Sequence, residues 1–126
     1  MKPITNEWVV KAEADFAPAR RELAVTENPN YDAVCFHAQQ CAEKYLKAFL
    51  QESDVPFPKI HDLADLLKLA LSVEPTWTSL LPDLNALSAF AVEYRYPGDA
   101  ADDQEAKEAF EKCESVRQTF RKALKL

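Results

Sequence analysis

The chain has 126 residues and a formal net charge of −6, from 21 acidic and 15 basic side chains. This length lets one domain bury a hydrophobic core without disulfides or metals, so we expect a single domain over residues 1–126. The acidic balance excludes a general binder of the phosphate backbone, and we expect no DNA partner. The single glycine, Gly98, argues against a multistranded β fold with many tight turns.

Helix one is predicted from about Asn6 to Ala24. Its apolar residues recur near helical spacing, and Thr5 or Asn6 is of the type that caps a helix N-terminus. Pro18 lies inside this stretch and has no N–H for the helical hydrogen bond, so we expect a kink or a broken turn there. The segment TENPN that follows is predicted to be a loop.

Helix two, from Tyr31 to about Glu52, is predicted to be the most buried element. Its apolar side chains cover about half of the helix circumference, which is wider than a surface helix needs. They are Val34, Cys35, Ala38, Cys41, Ala42, Tyr45, Leu46, Phe49 and Leu50. The remaining arc, called the polar ribbon below, carries His37, Gln40, Glu43, Lys44 and Lys47. We expect this helix to be covered on more than one side, and any chemistry to use part of the ribbon.

Three further helices complete the prediction. Helix three is short, from about His61 to Leu71, helix four extends from Leu80 to Tyr94, and helix five runs from about Ala101 to Leu124. The inward-facing residues of helix five are predicted to be Ala106, Ala109 or Phe110, Cys113, Val116, Phe120 and Leu124. Short connections between long amphipathic helices favour an all-α, up-and-down bundle of about five helices.

The three cysteines, Cys35, Cys41 and Cys113, cannot all pair within the chain and show no C-x-x-C spacing. They are interpreted as reduced apolar core residues, and we expect neither a metal site nor a cofactor. The segment MKPITNEWVV lacks the regions of a signal peptide, and every apolar run is too short to span a membrane. These features predict a cytoplasmic protein without a membrane partner.

Two lysines of the polar ribbon are candidate ligand-binding residues. Lys44 and Lys47 carry ammonium groups that could hold a phosphate. The alternative is a solvated helix face, on which Glu43 and Lys47 form an i, i+4 ion pair that contributes about a few tenths of a kcal/mol.

The two histidines limit any histidine-dependent catalysis to His37 or His61. His61 stands beside Asp62 at the start of helix three. It is either a helix cap or a general base or ligand contact. His37 borders the apolar arc and is interpreted as a packing residue.

The run EYRYPGD after helix four contains the candidate Arg95. In one interpretation Arg95 neutralises the C-terminal end of the helix dipole and pairs with Glu93 or Asp99. In the other it presents its guanidinium to a phosphate, with Tyr94 or Tyr96 beside it to stack on a base. No glycine-rich phosphate loop and no Ser-His-Asp order accompanies it.

Three blocks of this sequence together resemble the HEPN domain (higher eukaryotes and prokaryotes nucleotide-binding), a small five-helix module. They are DAVCFHAQQCAEKYLKAFL at 32–50, KIHDLADLLKLA at 59–70 and EYRYPGD at 93–99. The resemblance covers nearly the whole chain and implies a compact bundle, often a homodimer. In prokaryotes it implies a gene frequently placed beside a minimal nucleotidyltransferase. Some such pairs are toxin and antitoxin, in which the HEPN member is a ribonuclease.

The catalytic HEPN pattern is incomplete in this chain. Ribonucleases of the family carry a histidine shortly after the arginine, and the positions where it would stand here are Ala100, Ala101 and Asp102. Without a group that exchanges protons there, cleavage of RNA through its 2′-hydroxyl lacks its usual acid or base. His61 could substitute if the fold or a dimer brings it close to Arg95.

Three hypotheses for the function remain. The first is a non-catalytic binding module, a homodimer partnered with a minimal nucleotidyltransferase, which holds a nucleotide or RNA through Arg95, Lys44 and Lys47. The second is a metal-independent ribonuclease toxin with a divergent site of Arg95, Tyr96 and His61. The third is a purely structural interaction domain. Trp8 and Trp77 are the candidate exposed anchors for a dimer interface.

Overall fold

The computed structural model describes residues 1–93 and 96–126. Tyr94 and Arg95 therefore lie outside the described residues. The described part contains five α-helices and one 3₁₀ segment: α1 (Pro3–Leu23), α2 (Tyr31–Glu52), α3 (Leu63–Ala70), the 3₁₀ segment (Pro75–Leu80), α4 (Leu81–Glu93) and α5 (Asp103–Ala123). This is the all-α helical bundle that the sequence predicts. In the same ranges no helix has the length and apolar character needed to cross a bilayer.

The helix α2 forms the centre of the bundle, with α1, α3, α4 and α5 all packed against it. It begins and ends at the predicted residues, and Asn30 caps it by accepting a hydrogen bond from the N–H of Ala33 at 3.0 Å. Its side chains from Val34 to Leu50 are mostly buried. The predicted coverage on more than one side is confirmed.

The helix α1 starts earlier than predicted, and the predicted cap is wrong. Pro3 occupies its first turn, where a fixed φ favours helix and the missing N–H is not needed. Thr5 is buried within the helix and donates its hydroxyl to Glu52 Oε1 at 2.9 Å, which ties α1 to the end of α2. The helix is continuous through Pro18, so the broken turn expected there does not occur.

The start of α3 corrects the predicted role of His61 as a cap. The helix begins at Leu63, and Asp62 is its N-cap because the Asp62 carboxylate accepts the N–H of Asp65 at 2.9 Å. His61 therefore precedes the cap, and its ring is available for other contacts. The predicted helix four starts one residue before α4, because Leu80 is the last residue of the 3₁₀ segment and α4 begins at Leu81.

The helix α5 begins with a capping box, in which Asp102 and Glu105 each accept a hydrogen bond from the other's backbone N–H. All of its predicted inward-facing residues are buried. Trp77 is also buried, with its ring centroid 4.4 Å from that of Phe49. The interpretation of Trp77 as an exposed anchor is therefore wrong, whereas Trp8 is half-buried.

All three cysteines are free and buried, as predicted. Burial raises the pKa of the Cys35 thiol to about 12. A hydrogen bond with Cys113 and burial raise the pKa of Cys41. Thiols held in the protonated form are poor nucleophiles and metal ligands, so Cys35 and Cys41 contribute packing.

A charged cluster joins α1 to α5 and gives a testable pH dependence. Arg117 donates two hydrogen bonds to the Glu13 carboxylate, at 2.6 and 2.8 Å. These bonds hold the pKa of Glu13 below its ordinary value of 4.5. A carboxyl whose pKa is lowered by folding stabilises the folded state above its unfolded pKa, and loses that contribution as the pH falls through its folded pKa.

We expect Glu13→Gln to lower the free energy of unfolding by about 1 to 2 kcal/mol at neutral pH, because it removes a half-buried, charge-assisted pair. The difference from the wild type should begin to narrow near pH 4.5, where Glu13 of the unfolded chain becomes protonated, and should be lost once the pH falls below the lower pKa of Glu13 in the folded protein. Urea unfolding at a series of pH values measures this difference. Glu7→Gln, on the exposed side of α1, is the matched control, and a difference independent of pH would contradict the prediction.

Candidate functional site

A cleft of about 400 Å³ lies where α2, the start of α3 and α4 meet. Six of its lining residues are polar and two are apolar: Gln39, Gln40, Glu43, His61, Asp62, Ser88, Ala91 and Val92. This volume is at the lower end of the range for small-molecule sites. The cleft thus combines a concave surface with several hydrogen-bonding groups.

The buried carboxylate of Glu43 is the centre of the polar contacts at this cleft. Glu43 is only 3% exposed. Lys47 Nζ donates to Glu43 Oε2 at 3.1 Å, and His61 Nδ1 lies 3.1 Å from the same oxygen. Lys47 is also buried, and its ammonium lies 5.5 Å from the centroid of the Trp8 ring. Glu43 and Lys47 therefore neutralise each other inside the protein.

Two glutamine amides extend this network along α2. Gln39 donates its Nε2 hydrogens to Glu43 Oε1 at 3.3 Å and to the backbone carbonyl of His61 at 3.4 Å. Gln40 in turn donates to the Gln39 side-chain oxygen at 2.7 Å. The chain of hydrogen bonds thus runs from Gln40 through Gln39 to the Glu43 carboxylate.

His61 is the most accessible member of the network. Its side chain is 78% exposed, although its Nδ1 is held by the buried Glu43. A histidine with one ring nitrogen held by a carboxylate has a defined ring orientation, and its second nitrogen remains available to a ligand. His61 can therefore act at the cleft as a hydrogen-bonding or proton-exchanging group.

The other end of the polar ribbon forms a separate cluster with α1. The buried Asp15 pairs with Lys44 and also with His37, whose Nδ1 lies 2.8 Å from Asp15 Oδ1. Neither Lys44 nor His37 lines the cleft. Within the polar ribbon, His37 and Lys44 therefore pair with α1, whereas Gln40 and Glu43 lie at the cleft.

The sequence-predicted site residues are only partly brought together. His61 lines the cleft, whereas Lys44 and Lys47 are each paired with a buried carboxylate. The solvated-face interpretation is wrong for Lys47, which is 5% exposed. Tyr96 is exposed, and the predicted roles of Arg95 lie outside the described residues.

Sequence reasoning missed three residues that organise or line this region. Gln39 stands one turn before Glu43 on α2, a spacing that pairs side chains on a helix and could have indicated the contact. Asp15 lies next to the apolar line of α1, and a charge in that position indicates a buried ion pair. Ser88 carries no comparable signal, because its contribution depends on where α4 packs.

Metal binding has no support in the described ranges, which hold no cluster of three or more His, Cys, Asp or Glu side chains arranged for a metal ion. Glu43 and His61 are two potential ligands, but Lys47 occupies the position beside Glu43 that a cation would need. The site is therefore organised for hydrogen bonding.

Comparisons with known proteins agree with the bundle. A family model described as the HEPN domain matches residues 5–123. The crystal structure of an archaeal HEPN homologue superimposes with a TM-score of 0.71 over 98% of each chain, at 22% sequence identity. At that identity the likeness is one of fold. No curated protein matches the chain.

Proposed function

The chain belongs to the HEPN domain family, and from this membership we propose that it is a non-catalytic binding module that takes a nucleotide into the cleft between α2, α3 and α4. The observation that carries the proposal is the buried Glu43 network, which holds the hydrogen-bonding side chains of the cleft in place. A preorganised polar surface in a concave site favours ligand binding, because little ordering is required on association.

The charges around the cleft bear on how a nucleotide would lie in it. Lys44 and Lys47 are paired with buried carboxylates, so a phosphate would have to displace an existing ion pair to reach either one. Arg95 follows Val92, a lining residue, by three positions in the sequence. We therefore assign the phosphate contact to Arg95 and the rest of the nucleotide to the cleft.

We extend the proposal to partners. The family resemblance favours a homodimer and a complex with a minimal nucleotidyltransferase in a toxin–antitoxin-like pair. Light scattering of the purified protein should then give twice the chain mass of 14.3 kDa. A minimal nucleotidyltransferase encoded beside this chain should copurify with it when the two are expressed together. A monomer that leaves the nucleotidyltransferase unbound would contradict this part of the proposal.

Nucleotide binding is tested by calorimetric titration of the protein with AMP. We expect the wild type to bind and the Val92→Trp variant to bind at least about tenfold more weakly, a change of about 1.4 kcal/mol. The larger side chain fills the mouth of the cleft without touching the buried network, since Val92 is 54% exposed.

The matched control is Val10→Trp, because Val10 is exposed to a similar extent on α1 and lies outside the cleft. It should bind AMP as the wild type does. A wild type that does not bind AMP at millimolar concentration would refute nucleotide binding. Equal affinities of the wild type and Val92→Trp would place the ligand elsewhere.

A second candidate function, a metal-independent ribonuclease, is favoured by the contact between Glu43 and His61. A carboxylate that holds one nitrogen of a histidine ring supports general acid–base catalysis by the other nitrogen. His61 also lines the same cleft as Val92, which precedes Arg95 by three positions. A site of Arg95, Tyr96 and His61 would then replace the histidine that the chain lacks after Arg95.

The two candidates are separated by incubating the protein with a mixed RNA pool in EDTA. The ribonuclease candidate requires cleavage by the wild type, and loss of about 10²-fold or more of the rate in both Arg95→Ala and His61→Ala. His37→Ala is the matched control, since His37 belongs to the Asp15 cluster. An intact RNA pool together with AMP binding would support the binding module.

A further inference from the structure

We propose that the cleft is an adenine site, in which side chains of α2 and of the segment just before α3 recognise the exocyclic amine of the base and reject phosphate. The proposal rests on the proposed nucleotide-binding function and adds the part of the nucleotide that enters the cleft. It follows from the direction of the hydrogen bonds around Glu43.

Glu43 sets the donor and acceptor direction of the hydrogen bonds around it. An ionised carboxylate only accepts hydrogen bonds. Among the described residues, the side chains that contact the buried Glu43 are Lys47, Gln39 and His61, so each of these groups turns a hydrogen toward it. The Glu43 carboxylate is therefore the acceptor toward which these donors point. The outer residues of the network present their remaining donors and acceptors to the cleft.

The side-chain amides of Gln39 and Gln40 are oriented in turn. Gln39 faces two acceptors, Glu43 Oε1 and the carbonyl of His61, so its NH₂ group must point to them. Its oxygen then faces Gln40, and Gln40 must donate. Within the described part of the protein, this leaves Gln40 Oε1 and one remaining Nε2 hydrogen as the end of the hydrogen-bond chain at the cleft.

His61 and Asp62 present further hydrogen-bond acceptors to the cleft. Because Nδ1 of His61 donates to Glu43, the neutral ring carries a lone pair on Nε2, and the ring is exposed at the cleft. Asp62 caps α3 with Oδ1, and in the described ranges its Oδ2 remains as a further acceptor. Ser88 can either donate or accept.

The cleft therefore offers mainly acceptors. A phosphate is negatively charged and offers mainly acceptors as well, so it would meet lone pairs and the negative charge of Asp62. An exocyclic amine supplies the matching hydrogens. Adenine fits this pattern, because Gln40 presents an oxygen and one N–H, the pair that binds adenine N6 and N7. Ala91 and Val92 provide the apolar wall against which a base can lie.

The test compares four ligands that isolate this chemistry: adenosine, N6,N6-dimethyladenosine, inosine and inorganic phosphate. In mildly alkaline buffer, adenosine should bind at least about tenfold more tightly than inosine or the dimethylated nucleoside, since both lack the amine hydrogens. Inorganic phosphate should not compete with adenosine. The ligand series requires no variant, so it does not depend on how a mutation affects folding.

The Gln40→Met variant tests the residue directly, since methionine keeps the length of the side chain but removes the amide. It should lose the preference for adenosine over inosine, whereas Gln118→Met, at an exposed position of α5, should keep it. Equal binding of all three nucleosides, or competition by phosphate, would overturn the adenine assignment and leave nucleotide binding intact. Failure of every nucleoside and of AMP to bind would instead refute the proposed function.

Discussion

We expect the Tyr45→Asp variant not to fold. The Tyr45 side chain is fully buried at the centre of α2, and its ring stacks with that of Phe120 at a centroid distance of 6.5 Å. Removal of a buried aromatic ring costs about 3 to 5 kcal/mol, and burial of a carboxylate adds several more. The sum reaches the total stability of about 5 to 15 kcal/mol that is typical of a domain.

Tyr45→Phe is the control for this variant. It keeps the ring but loses the hydroxyl, which donates to Glu13 at 2.8 Å and accepts from Arg121 at 3.0 Å. Burial raises the pKa of this hydroxyl to about 12, so it acts as a neutral group. We expect a loss of about 1 to 2 kcal/mol. Circular dichroism melting compares the variants, and an unchanged melting curve for Tyr45→Asp would show that the orientation of α2 is wrong.

The second large effect is expected for the buried pair of Glu43 and Lys47. Lys47→Met keeps most of the packing beneath Trp8 but leaves the Glu43 carboxylate buried without its ammonium partner. Breaking a buried ion pair in this way costs about 3 to 5 kcal/mol. We expect about 3 kcal/mol, because Gln39 and His61 still donate to Glu43.

The double variant Glu43→Gln/Lys47→Met should recover most of this loss. It removes both charges together, and the remaining amide can accept the hydrogen bond from Gln39. We expect its stability to lie within about 1 kcal/mol of the wild type in urea unfolding. The single variant Glu43→Gln completes the comparison. A loss of stability in the double variant equal to the sum of the losses in Glu43→Gln and Lys47→Met would contradict coupling between the two charges. The Lys44→Met variant is the matched control, since Lys44 is more exposed and pairs with Asp15 instead.

These results would also bear on the cleft. Without the Glu43 carboxylate, Gln39 keeps the backbone carbonyl of His61 as an acceptor, but the His61 ring loses the carboxylate that fixes its donor and acceptor nitrogens. The double variant should therefore fold and yet show a weaker preference for adenosine over inosine than the wild type. This combination separates the role of the pair in ligand selection from its role in stability.

The outline of the bundle is predictable because local rules and packing agree along most of the chain. The apolar arc of α2 is wide enough to require neighbours on several sides, and the inward line of α5 follows from helical spacing alone. The N-terminus of α1 is the exception. There Thr5 has the chemistry of a cap, but its hydroxyl binds Glu52, a residue far away in the sequence.

The sequence by itself determined the helical class, the centre of the bundle and the family resemblance, because each depends on periodicity or on residue order within a segment. Only the tertiary structure decided which polar side chains of α2 are buried and what they contact. His61 stands 18 residues after Glu43, and helical spacing cannot relate residues on different elements. The packing of α3 and α4 on α2 brings them together and closes a cleft around them.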